Sequence, residues 1–155
     1  MNRLVPIIIL VAVAVTVQAP QQQEQSQPLE KIHDQGERRM TTKETIQGYF
    51  NSLKQKKGWE SFLADDMIFT SYTSPIKQVT GKDAYLESTK RFYSGIISFE
   101  VKDLLIEGER ACALTHYELQ SPKGPFTSDV AEIFTVRNSK IASFAIYFDS
   151  APFPK

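Results

Sequence analysis

Apolar positions recur at helical intervals early in the chain and at alternate residues from about residue 96 onward. In "TIQGYFNSL", Ile46, Tyr49, Phe50 and Leu53 stand at i, i+3, i+4 and i+7, one face of an amphipathic helix. "TTKE" just before it supplies Thr41 as N-cap and Glu44 three residues on, a capping box. Lys54, Lys56 and Lys57 suit the negative end of that helix, and Gly58 can close it. "WESFLADD" predicts a short second helix with Trp59, Phe62 and Leu63 on its apolar face. "MIFTSYT", β-branched and aromatic, predicts a strand that Pro75 breaks. "GKDAYLESTKRFYSG" predicts a third helix with Tyr85, Thr89 and Phe92 on one side. Then "ISFEVKDLLIEG", "RACALTHYELQ", "FTSDVAEIFTVR" and "KIASFAIYFD" read as four strands, separated by Gly108, "PKGP" and "NS". Helices first and antiparallel strands after predict an α+β domain, with one curved sheet wrapping a helix and a pocket on its concave side.

The first forty residues follow another pattern. "MNRLVPIIILVAVAVTVQA" has one early positive charge, Arg3, then an apolar run from Leu4 to Val17 and a small-residue ending at Ala19. Residues 1–19 thus read as a secretory signal peptide. The run is shorter than the roughly 20 residues of a membrane-spanning helix. Pro20 disfavours cleavage, so an uncleaved N-terminal anchor is the alternative, and a start at Met40 a third reading. Residues 20–40, rich in Gln and charge, predict a flexible linker containing a solvated His33. The domain then occupies 41–155. The expected location is exported, periplasmic or secreted, with membrane contact only through an uncleaved leader.

Charge and composition narrow the classes. Lys plus Arg equals Asp plus Glu, 18 each, and no basic stripe appears, so no nucleic-acid partner is expected. A single cysteine, Cys112, excludes an intramolecular disulfide and reads as a buried, inert thiol. The two histidines, His33 and His116, form no Cys/His cluster with ligand spacing, so neither a metal nor another cofactor is expected. No nucleotide loop and no Ser/His/Asp signature is present, which disfavours a nucleophilic hydrolase.

"DVAEIFTV" poses the chemical question. Val130, Glu132, Phe134 and Val136 share one strand face, so a carboxyl group stands in a row that otherwise reads as buried. Either it faces a pocket, or it pairs with a cross-strand cation on a solvated face.

The pieces "TIQGYFNSL", "FLADDMIFTSYTSP", "GKDAYLES", "AEIFTV" and "KIASFAIYFD", in this order and spacing, resemble the nuclear-transport-factor-2-like superfamily over residues 41–152, particularly its SnoaL-like and ketosteroid-isomerase-like branches. The resemblance implies a cone-shaped α+β domain, N-terminal helices packed in the concave face of a curved, mostly antiparallel sheet, and a homodimer. Ketosteroid isomerases carry a tyrosine on the first helix that donates to the substrate oxyanion, which implies that role for Tyr49. Their second donor is a late-strand acid kept neutral by an apolar site, which implies that role for Glu132. The isomerase base has no counterpart: Ser71 or Tyr72 stands near its place, and a hydroxyl is a poor base at neutral pH. SnoaL-like cyclases use a late-strand aspartate as acid/base. Asp149 fits that place, or it caps a turn at the strand end. His116 is the other candidate for moving a proton, with Glu118 as partner, or it is structural.

The expected site therefore comprises Tyr49, Glu132, Asp149 and His116 as catalytic residues and Trp59, Ser71, Tyr72, Phe134 and Tyr147 as pocket lining. The expected function is an exported domain binding a hydrophobic small molecule in an apolar pocket, with isomerase- or cyclase-type chemistry on a carbonyl-containing substrate. The alternative is a non-catalytic dimerisation or protein-interaction module whose cavity is packed shut.

Overall fold

The structure, a computed structural model, describes residues 39–153 apart from Ser74 and Ile76. The expected leader and nearly all of the linker, His33 included, lie outside the described residues. Among those residues, no helix is long and apolar enough to cross a membrane.

Helix α1, Thr42–Lys54, begins at the capping box: Thr41 Oγ1 accepts from the Glu44 backbone N–H, and the Glu44 carboxylate accepts from the Thr41 N–H. Its apolar stripe, Ile46, Tyr49, Phe50 and Leu53, is buried in full. The helix ends earlier than Gly58. Lys56 takes the left-handed conformation at φ +52°, and its Nζ donates to the Ile96 carbonyl at 3.0 Å. The predicted second helix shrinks to a 3-10 turn, Trp59–Phe62, because Leu63 already opens strand β1, Leu63–Ser71. Asp65 and Asp66 therefore lie within β1, both exposed, and Asp65 pairs with Lys82. A short strand that the pattern did not announce, β2, Lys77–Thr80, pairs with the end of β1. Helix α2 spans Lys82–Gly95. The four long strands follow: β3, Ile96–Glu107; β4, Arg110–Ser121; β5, Gly124–Arg137; and β6, Lys140–Phe148. The β5–β6 hairpin turns through Asn138 and Ser139, both at positive φ, the backbone hand that matches strand twist in a two-residue turn.

The strands form one sheet in the order β2-β1-β6-β5-β4-β3, antiparallel throughout except where β1 runs parallel to β6. Register shifts interrupt the β3–β4, β5–β6 and β1–β6 ladders, and such bulges bend a sheet. The two helices pack on one face of this curved, open sheet: α1 lies over β3–β6, and α2 lies over β1, β2 and β4. The expected α+β cone is the architecture found. Its core gathers Tyr49, Phe50, Met67, Phe134, Ile141 and Phe144 between α1 and the sheet.

Candidate functional site

Alternation along β5 turns Val130, Glu132, Phe134 and Val136 toward the helices. Glu132 is 2% exposed. Across the ladder it faces Ala113 on β4 and Ile146 on β6. The small Ala113 leaves room for its neighbours on the same face of β4: Thr115 Oγ1 donates to Glu132 Oε2 at 2.8 Å, and Tyr117 O–H donates to Oε1 at 2.9 Å. Neither partner is a cation. Burial therefore dominates and pushes the Glu132 carboxyl up to about 7, while the two hydroxyl bonds pull against it. Near neutral pH the group is poised between carboxylic acid and carboxylate.

A chain of tyrosines runs between the two helices. The Tyr49 hydroxyl on α1 is hydrogen-bonded to that of Tyr93 on α2 at 2.9 Å, and Tyr93 is hydrogen-bonded in turn to Tyr85, two helical turns earlier. Burial first, then neighbouring phenols, raises all three well above the usual phenol range, so they stay neutral. Trp59 stacks on Tyr93 at 4.2 Å and holds its ring from the outer side.

A cavity of about 240 Å³ lies between α2 and the sheet. Phe69, Phe92, Val130, Phe144, Ile146, Phe148 and Phe153 supply its apolar wall, and Glu132, Tyr85, Tyr93, Ser71, Ser88 and Thr89 its polar points. A larger groove of about 510 Å³ lies between α2 and the end of α1, where Trp59 and Tyr93 form part of its wall. Its ionisable groups, Lys56, Glu60, Asp83, Glu87 and Lys90, are of mixed sign, and it contains no buried carboxyl. The smaller cavity is the candidate site because it holds Glu132. Among the described residues, no group of three His, Cys, Asp or Glu is placed to hold a metal ion.

The structure separates the residues that the sequence grouped. Glu132 and Ser71 line the cavity. Tyr49 and Phe134 are fully buried one layer behind it, Tyr49 reaching toward the cavity only through Tyr93 and Phe134 stacking on Phe144 at 4.6 Å. Trp59 is second to Tyr93 and faces the other groove. Tyr72 and Tyr147 lie on the outer face, exposed and stacked on each other at 4.7 Å. The β1–β6 register explains their place: Ser71 and Ile146 are partners facing inward, so the next residue on each strand turns outward. Asp149 follows β6 in solvent, where Oδ1 accepts the Ala151 N–H at 2.9 Å, a turn cap. His116 stands on the outer face of β4, because Thr115 and Tyr117 on either side of it face inward, and its Nδ1 meets Asp129 Oδ1 at 2.7 Å. Thus neither Asp149 nor His116 reaches the cavity. Tyr85, Tyr93, Thr115 and Tyr117 are the polar partners that the sequence reading did not assign. The odd-numbered face of β4 and the tyrosines on α2 were the available signals.

Comparison with known proteins agrees with this architecture. The family model described as SnoaL-like domain matches residues 37–144. No curated protein matches the chain. Among solved structures, a protein assigned as a SnoaL-like polyketide cyclase from Mesorhizobium loti is 21% identical, with a TM-score of 0.60, over 70% of this chain and 99% of that one. A protein assigned as an isomerase from Bacillus subtilis is 17% identical, with a TM-score of 0.60, over 70% and 86%. A nuclear-transport-factor-2-like protein of unknown function from Cytophaga hutchinsonii is 15% identical, with a TM-score of 0.61, over 75% and 96%. At such identities the likeness is one of fold.

Proposed function

We propose that this chain, which belongs to the SnoaL-like domain family, binds a small apolar molecule carrying a carbonyl group in the cavity beside Glu132. One observation carries the reading: a buried carboxyl group with two hydroxyl partners and no cation, at the wall of an otherwise apolar cavity. An acid kept neutral in such a place can donate a hydrogen bond to a carbonyl and stabilise charge that develops on its oxygen. Tyr85 is a second donor in one of the two directions that the tyrosine chain allows. Three tyrosine hydroxyls carry three protons and use two between themselves. With Tyr49 donating to Tyr93 and Tyr93 to Tyr85, the third proton is directed to an acceptor at the cavity end.

Isomerase- or cyclase-type turnover needs a group that takes a proton as well as one that gives it. Among the described residues lining the cavity, Glu132 is the one carboxyl, and no histidine is present. Its pKa of about 7 suits it to either role on either side of neutrality. In this reading Glu132 is the proton-moving group of any turnover, and Asp149 and His116 take no part.

Two further parts belong to the proposal. The apolar leader with its small-residue ending supports export. The outer sheet face supports a homodimer: Leu105, Cys112, Ile133 and Ala145 stand in register across β3–β6, with Asp103, Leu114, Ala131 and Tyr147 in the next row, and Leu105, Leu114 and Tyr147 are exposed. A second copy of the chain would cover that face. The alternative of a cavity packed shut is opposed by the open volume of about 240 Å³ beside Glu132.

The test uses acetophenone labelled with carbon-13 at the carbonyl. Binding at pH 6 should move the carbonyl resonance downfield, the shift should shrink as pH rises through about 7, and Glu132→Leu should reduce it and remove its dependence on pH. An unperturbed carbonyl resonance at every pH, with the protein in excess over the ligand, would sink the proposal.

A further inference from the structure

The geometry points to a hydrophobic molecule with one anionic group as the ligand class, its apolar body beside Glu132 and its anion at Lys77 and Arg91. The inference rests on the cavity reading above and extends it from a pocket to a two-part site. A second cavity, about 440 Å³, adjoins the first, and Ser88, Phe92 and Phe153 line both. The first is apolar apart from Glu132 and a few hydroxyls. The second carries two cations, Lys77 and Arg91, and no carboxylate among its described lining residues.

Neither cation has a carboxylate partner among the described residues. In the groove beside Trp59, by contrast, Lys56 and Lys90 are offset by Glu60, Asp83 and Glu87. Lys77 is also placed for the task by the sheet, since it is the ladder partner of Ser71, which lines the apolar cavity. Strand β5 borders both cavities, and an unpartnered hydroxyl lies on it, in the lining of neither. Ser128 is 5% exposed, and its Oγ has no hydrogen-bond partner among the described residues. On the inward face of β5 it falls between Phe126, which lines the cationic cavity, and Val130, which lines the apolar one. A buried hydroxyl without a partner is costly and rare.

Two probes that differ by one anion test this: 1-anilinonaphthalene-8-sulfonate and its neutral parent N-phenyl-1-naphthylamine, each titrated by fluorescence. Lys77→Gln with Arg91→Gln changes two exposed side chains, so the fold should be unaffected. This double variant should lower affinity for the sulfonate about tenfold, as two solvated ion pairs would, and leave the neutral probe unchanged. Lys57→Gln with Lys90→Gln removes the same net charge elsewhere and should alter neither. If the neutral probe binds but the sulfonate affinity does not respond to Lys77 and Arg91, or responds equally to the control pair, the anionic class is wrong and the cavity reading stands. If neither probe binds, the cavity reading falls and this inference falls with it.

Discussion

Replacing Glu132 by glutamine should make the protein less sensitive to pH, and the size of the effect follows from the site. The carboxyl sits at 4.5 in a solvated chain and at about 7 in the fold, chiefly because it is buried. Between those values the folded protein keeps the proton and the unfolded chain has lost it. Stability therefore falls as pH rises through that window and is level above it. At about 1.4 kcal/mol per pH unit, the penalty at pH 8 comes to about 3 kcal/mol. Glutamine cannot ionise and so removes it, while its carbonyl still accepts one hydroxyl bond. The exposed Asp65–Lys82 pair is present in both proteins and cancels in the comparison. Trp59, the only tryptophan and buried against Tyr93, reports unfolding by its fluorescence. In urea titrations the wild type should lose about 2 to 3 kcal/mol relative to Glu132→Gln between pH 5 and pH 8. Parallel pH profiles for the two proteins would refute the argument that Glu132 is buried without a cation.

Tyr93→Phe breaks both bonds of the tyrosine chain and leaves the Tyr49 hydroxyl buried without a partner, so urea denaturation should show a loss of about 1–3 kcal/mol. His116→Ala removes an exposed pair on the outer face; stability should change by less than about 1 kcal/mol, and acetophenone binding not at all. Leu114→Lys places a charge on the outer face beside Asp103, and sedimentation velocity should show a dimer becoming monomer with an unchanged circular dichroism spectrum. A wild-type protein that sediments as a monomer would remove the dimer from the account.

Much of the fold was legible because local patterns and tertiary packing agree in it. The stripe of α1 and its capping box both hold in the structure, since a helix on a concave sheet buries one face and exposes the rest. β2 was not legible: "KQVT" is short and polar, and only its ladder with β1 makes it a strand. The helical reading of "WESFLADD" failed at Leu63, where a buried residue at the start of β1 fits either period.

The site was half legible. On β5, one phase carries Val130, Phe134 and Val136, which favoured an inward Glu132, although Ala131 and Ile133 in the other phase left a solvated face open. On β4 both phases are apolar, Ala111 and Ala113 against Cys112 and Leu114, and the smaller set faces the helices. That choice depends on how closely the helices approach, which alternation does not encode. It decides that Thr115 and Tyr117, not His116, meet Glu132. The tyrosine chain joins α1 to α2 across the tertiary fold, so neither helix alone reveals it.

The most direct measurement is a map of backbone amide shifts as unlabelled acetophenone is added to the nitrogen-15-labelled protein. The shifts should gather at Ser71, Thr89, Val130, Glu132 and Ile146, around the cavity. Shifts confined to the outer face at Leu105, Leu114 and Tyr147, or none with ligand in excess, would contradict the cavity reading.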